Sequence, residues 1–353
     1  MLDYIKLILT FKAITNIKLP LYKGSLFRGF FKTSLKRLVC QNYDADNCLL
    51  CKFQNECLYF FITEHRNNQG ENTVLPYVIS CSDIIRTEFD IGENFSFSIK
   101  FIGKAISFID QIILSFVQWN QLEISHFQTL TADKEFIKVE NYKDIKYFGK
   151  IKLEMIDQIT NNNLINIYQS NSVVSSPKSE TFLFLLNYDN NNLFKVNINF
   201  LSPLRILKKI KNKSNKKTKL FISPDLFNHE FFFRSLLTRL IGLYTNYVND
   251  SDKSNETNDH SNINKADINI DKIVEHYIID INKVKILSKS LIHEKIKRYS
   301  YSSKWIHLDG IIGEVIFGNI SERLLNLLIF GSLFHTGKFP TMGMGEYSFD
   351  IIT

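Results

Sequence analysis

The segment HTGKFPTMGMGEY, His335 to Tyr347, decides how this chain is read. It gathers three glycines into thirteen residues of a 353-residue chain that has only 14. Before it, SERLLNLLIFGSLF carries apolar residues at helical spacing, and after it GEYSFDII alternates as a strand does. The segment therefore reads as a helix-to-strand connection, and two uses of its glycines stand open. Gly337 can cap the helix while Gly343 or Gly345 makes a bulge. Alternatively Gly337, Gly343 and Gly345 let the backbone take positive φ and offer N–H groups to a phosphate, with Lys338 adding charge. The GxxxxGK[ST] spacing of a nucleotide P-loop is absent.

Working outward, the elements before this segment form a repeating order. DYIKLILTFKA reads as a strand, LFRGFFKTSLKRLVC as a helix capped by Ser25, then TVLPYVISC and NFSFSIKFIG as strands and AISFIDQIILSFVQW as a helix. The order begins again with the strand NLFKVNINFLSPL, the helix HEFFFRSLLTRLIGLYTNYV, the strand-like KRYSYSSKWIHLDGIIGEVIF, the last helix and the last strand. Both halves fit a β-α-β-β-α-β plan, so the expected fold is α+β, tandem ferredoxin-like (RRM-like) domains with a C-terminal Gly-rich loop. The first domain is expected at 1–190 with a Cys-rich insertion at 40–57. The second is expected at 191–353, with a basic hairpin at 205–221 and a disordered insertion at 249–269, where apolar residues nearly vanish. The Asn-rich stretch QITNNNLINIYQSNSVVSS reads as a segment joining or decorating the two units.

Hydrophobic residues make up 44% and charged residues 22%, the balance of a globular protein. Thirty Phe and 15 Tyr against two Trp leave the cores to the smaller rings. The net charge of +7 favours a polyanionic partner without requiring one. No stretch reaches the roughly 18 unbroken apolar residues of a membrane span, and the N-terminus lacks a signal-peptide cleavage region, so a cytoplasmic location with no membrane partner is expected.

Three further groups carry chemistry. On the first predicted helix, Arg28, Lys32 and Lys36 recur every four residues and share a face, which suits either solvent or a nucleic-acid backbone. KKIKNKSNKKTK, Lys208 to Lys219, holds seven lysines and no acid; Lys208, Lys209, Lys211 and Lys213 are expected to contact phosphates. Cys40, Cys48, Cys51 and Cys57 are spaced C-x7-C-x2-C-x5-C, as donors for a structural zinc, less readily an iron–sulfur cluster, or as plain buried thiols. There is no HExxH, no clustered carboxylates of a two-metal nuclease, no GxSxG elbow and no dinucleotide fingerprint. Any catalysis is therefore expected without a metal cofactor.

Taken together, LPLYKGSLFRGFFKTSLKRLVC, FLSPLRILKK, RYSYSSKWIHLDGIIGEVIF and above all LLIFGSLFHTGKFPTMGMGEY resemble the CRISPR precursor-RNA processing endoribonucleases of the RAMP superfamily. The resemblance implies a pair of ferredoxin-like domains and a Gly-rich loop in contact with RNA. It implies CRISPR repeat RNA as partner, cleaved without metal by 2′-hydroxyl attack, with the alternative of a non-catalytic subunit holding guide RNA beside CRISPR effector-complex proteins. Such chemistry needs in-line placement, a base, an acid and cations. The site is expected between the two sheets: Tyr22, Lys23, Arg28, Lys32 and Lys36 from one side, His335 and Lys338 from the other, with His335, Tyr22 and Lys36 as catalytic candidates. Two departures from the family stand out. The first half has no glycine in QWNQLEISHFQTLTADKEF, and no histidine precedes His65, where many relatives carry a catalytic one.

Overall fold

The computed structural model describes residues 2–43, 47–66, 73–84, 86–121, 123–124, 129–130, 136–137, 149–160, 163–169, 172–173, 180–182, 192–211, 217–247, 270–299 and 305–352. The expected insertion at 249–269 and Lys213 lie outside them.

Strand β1, Leu2–Ala13, sets the first half. Its period of two puts Ile5, Leu7, Leu9, Phe11 and Ala13 into one buried face. Helix α1, Gly24–Val39, covers that face with Phe27, Phe31 and Leu35, spaced four apart. A short helix α2, Leu58–Thr63, follows, then β2, Tyr77–Ser80, β3, Asn94–Ile102, and helix α3, Ile109–Val117. The core beneath is aromatic: Phe27 stacks on Phe97 at 4.2 Å between centroids, and Phe31 on Phe116 at 5.1 Å. Trp119 is fully buried there and donates its indole N–H to Ser34 Oγ at 2.9 Å, so one of the two tryptophans does enter the core.

The polar stretch expected to join or decorate the halves runs, where described, in the first sheet. Strands β4, Gly149–Thr160, and β5, Asn163–Gln169, pair antiparallel, and β4 pairs with β1. Strands with one solvated face keep polar residues, which is why this hairpin reads as linker in sequence. The sheet runs β5–β4–β1–β3–β2, with all these pairings antiparallel and Leu7 opposite Ile99.

The second half repeats that geometry. Strand β6, Leu193–Leu204, is followed by the hairpin Leu207–Lys211/Lys217–Phe221 and helix α4, His229–Tyr247. Then come helix α5, Ile270–Lys283, strands β7, Lys285–Glu294, and β8, Gly310–Ser321, helix α6, Glu322–Phe334, and β9, Tyr347–Ile352. Ser321 caps α6 by accepting from the Leu324 N–H. The sheet order is β7–β8–β6–β9, again antiparallel. Each sheet thus contains four strands in the spatial order fourth, first, third, second, with helices between first and second and between third and fourth. Phe232, Leu236, Leu240 and Leu243 of α4 and Leu324, Leu327 and Leu328 of α6 fill the second core. Helix α5 and strand β7 are not anticipated in the sequence reading. No helix among the described residues is long and apolar enough to cross a membrane.

Candidate nucleic-acid interface

The loop from α6 to β9 turns back through positive φ five times: His335 at 59°, Gly337 at 75°, Phe339 at 66°, Gly343 at 82° and Gly345 at 73°. At Gly345 a Cβ would stand 1.9 Å from the Thr336 carbonyl oxygen, so the loop closes on itself through glycine. Its N–H groups are taken by the protein. Gly345 N–H donates to Pro203 O at 3.1 Å, Gly343 N–H to Pro340 O at 2.9 Å, Gly337 N–H to Ser235 Oγ at 3.1 Å and Lys338 N–H to Arg205 O at 2.8 Å. Gly343 and Gly345 are themselves buried. Of the two uses open in sequence, the geometry matches glycines that fold the loop inward, and these N–H groups do not face a phosphate. The exposed residue of the loop is Lys338.

The loop joins the halves. Gly24, at the start of α1, packs so closely that a Cβ there would lie 1.8 Å from Met342 O. Tyr22 donates its hydroxyl to the same carbonyl. Met342 and Met344 bury with Leu308, and Tyr22, Ile296, Ile306 and Phe339 pack around them. The Tyr22 phenol is pushed well above its ordinary pKa by burial, then by the nearby Cys81 and Glu346.

His335 is fully buried. Its Nδ1 lies 3.2 Å from Met344 O and its Nε2 3.0 Å from Ser80 Oγ on β2. A carbonyl only accepts, so the partners assign the proton to Nδ1, and Nε2 accepts from the Ser80 hydroxyl. Burial, then the charges of Lys100 and Arg239, hold its pKa well below the histidine range, so the ring is neutral. Beside it lie two more buried groups. Burial raises the Glu346 carboxyl, and its Oε1 is 3.8 Å from His335 Nε2. Lys100 is pushed down to about 8 by burial and then by Lys6.

The expected cations separate. Lys23 is 1% exposed and donates to the carbonyls of Ile84 at 2.8 Å and Leu21 at 3.2 Å, which removes it from any surface. Arg28 is half-buried near Tyr77, toward the loop. Lys32 pairs with Glu64, and Lys36 sits over the Tyr43 ring at 5.0 Å, so these two run along α1 away from the loop. Lys208 is exposed and lies over the Phe231 ring at 5.3 Å. Lys209 and Lys211 lie in the hairpin strand, their side chains outside the description. His65, the first histidine of the chain, has its Nδ1 2.8 Å from the Tyr247 hydroxyl, and burial lowers its pKa. Sequence reading passes over Ser80 and Arg205, which hold the loop from the first and second halves. Ser80 gives no sequence signal, whereas Arg205 stands in the quoted FLSPLRILKK.

Cys40, Cys48, Cys51 and Cys57 are free, half-buried thiols. Among the described residues no set of three or more His, Cys, Asp or Glu gathers as metal donors, so these four do not fit a tetrahedral zinc. Burial raises the Cys48 thiol, the direction of a packed cysteine.

A family model for the CRISPR-associated endoribonuclease Cas6 matches residues 198–347, from within β6 through the loop. The second half of the chain is similar to the Cas6 family. A second family model, described as an N-terminal domain, matches residues 2–178. Among solved structures, a partial Cas6-RT-Cas1–Cas2 complex aligns with a TM-score of 0.53 and 13% identity, over 100% of this chain and 46% of that one. A fuller Cas6-RT-Cas1–Cas2 complex aligns with the same score over 29% of its chain. This chain therefore spans less than half the length of those two. A Cas6 product complex aligns at 0.50 and 10% identity, over 98% of this chain and 100% of the other. At such identities the likeness is one of fold. No curated protein matches the chain.

Proposed function

We propose that this chain binds CRISPR repeat RNA and cleaves the precursor transcript by metal-independent attack of a 2′-hydroxyl, giving mature guide RNAs. The observation that carries the reading is the Cas6 match over 198–347 ending in a loop that Tyr22 and Ser80 clamp onto the first half. The shared strand order of both sheets supports tandem ferredoxin-like domains.

In the reaction the attacking 2′-oxygen, phosphorus and the leaving 5′-oxygen must lie in line. A base takes the 2′-OH proton, an acid protonates the 5′-oxygen, and cations stabilise the phosphorane. Lys338, the exposed residue of the loop, and Arg28 are cations that can stabilise it, and the basic hairpin adds sequence-independent affinity. His335 acts by holding the loop, since both its nitrogens are engaged inside the protein. The partners are repeat RNA and, in the second reading, effector-complex proteins; both readings place the work in the cytoplasm. That second reading, a non-catalytic RAMP subunit, draws on the burial of His335 and the engaged hydroxyl of Tyr22. Incubation with labelled repeat RNA in EDTA separates them: a 2′,3′-cyclic phosphate end supports cleavage, and shifted but intact RNA supports binding alone.

A further inference from the structure

Away from His335, two histidines and an aspartate meet at the rim of the second sheet. His293 closes β7, Asp309 precedes β8, and His307 ends the short strand Trp305–His307. His293 Nε2 lies 3.8 Å from Asp309 Oδ2, and His307 Nδ1 lies 3.8 Å from Asp309 Oδ1. One carboxylate thus faces two imidazoles, one per oxygen. The side chains are 33% and 54% exposed for His293 and His307 and 20% for Asp309, so the carboxylate sits behind the rings. Each ring turns one nitrogen to Asp309, and no hydrogen bond among the described residues engages the other.

The placement is built rather than incidental. Asp309 Oδ1 accepts from Ile296 N–H at 3.1 Å, and Arg205 Nη1 donates to Asp309 O at 2.6 Å. The Arg205 guanidinium lies over the Phe221 ring at 5.3 Å, and Phe221 packs against His293 at 5.1 Å. Arg205 O in turn accepts from Lys338, so the cluster adjoins the Gly-rich loop, and Phe221 ends the basic hairpin. The three groups do not converge as metal ligands would.

We propose that His293 and His307 are the general acid–base pair of this chain's RNA cleavage, acting on a phosphodiester held beside Arg205. This rests on the nuclease reading above. One imidazole accepts the 2′-OH proton as the 2′-oxygen–phosphorus bond forms. The other, as imidazolium, gives its proton to the 5′-oxygen as the phosphorus–5′-oxygen bond breaks. The products are a 2′,3′-cyclic phosphate and a 5′-hydroxyl, with protons and electrons balanced. Imidazole is the side chain best suited to give and take a proton near neutral pH, and a pair on either side of one phosphate supplies both transfers.

The test is single-turnover cleavage of labelled CRISPR repeat RNA in EDTA by the full chain and by His293→Gln and His307→Gln, with melting temperatures matched. Each substitution is expected to slow cleavage about 100-fold or more while leaving affinity for the 2′-deoxy repeat unchanged. Replacing the bridging 5′-oxygen by sulfur, whose thiolate leaves without a proton, is expected to restore the rate in the variant lacking the acid and not in the one lacking the base. Full-rate cleavage by the double variant overturns the assignment, as does loss of affinity with the rate at saturation unchanged. A wild-type chain that cuts nothing overturns the nuclease reading itself.

Discussion

Ser80 Oγ stands 3.0 Å from His335 Nε2, so a hydroxyl on β2 of the first half holds the histidine that begins the loop of the second. His335→Ala would leave the Met344 carbonyl without its partner, take from the Ser80 hydroxyl one of two, the other being Glu346, and open a cavity. Losses of about 1–3 kcal/mol per orphaned group put the destabilisation near 3 kcal/mol. The folded pKa of His335 lies below its unfolded 6.5, so its contribution is complete above pH 6.5 and is lost as pH falls below it. Thermal melts across that range should show a shallower acid decline in the variant than in the parent chain.

At Gly345 and Gly24 a single methyl would meet backbone of the loop. Gly345→Ala adds a positive-φ penalty to a 1.9 Å contact with Thr336 O, and Gly24→Ala meets Met342 O at 1.8 Å. Each should lower stability by at least about 2 kcal/mol, read from urea unfolding. Gly29→Ala, with nothing within 4 Å of the new methyl, is the control and should be neutral or slightly stabilising.

Lys100 predicts a pH effect of the same sign in the alkaline range. Its pKa falls from 10.5 unfolded to about 8 folded, so between those values the unfolded chain holds the extra proton and stability rises with pH. Below about pH 8 the burial penalty is present in full, on the order of 3 kcal/mol. Lys100→Met should therefore melt higher near neutral pH, and the gap to the parent chain should close as pH climbs toward 10.5.

These effects trace to groups that sequence reveals unevenly. Phe27, Phe31 and Leu35 announce α1 by their spacing, and the helix-loop-strand ending is plain from SERLLNLLIFGSLFHTGKFPTMGMGEYSFDII. The β4–β5 hairpin is hidden because its edge position tolerates polar residues. Lys23 looks like a surface cation, yet its apolar stem and two backbone acceptors let it be buried. His335 reads as a catalytic candidate, and only its neighbours show that it holds the loop. His293 and Asp309 lie sixteen residues apart and meet through the pairing of His293 with Ile311. The nearest sequence signal is His307-x-Asp309, whose two-residue step puts both side chains on one face of an extended chain.

The lysine run makes a prediction about binding alone. Neutralising Lys208, Lys209, Lys211 and Lys213 should flatten the dependence of log affinity on log salt by about 0.7 for each single-strand phosphate that no longer meets a lysine. An unchanged slope would show that these lysines face solvent in the complex.

The central claim is that this chain, whose second half matches the Cas6 family model, cuts RNA through its own side chains and the substrate's 2′-hydroxyl. The direct measurement is cleavage of labelled CRISPR repeat RNA in excess EDTA, with end-group analysis and a matched substrate carrying 2′-deoxy at the scissile position. The account predicts a 2′,3′-cyclic phosphate and 5′-hydroxyl from the first and no cleavage of the second. Cleavage that disappears with EDTA, or persists on the 2′-deoxy substrate, would contradict it.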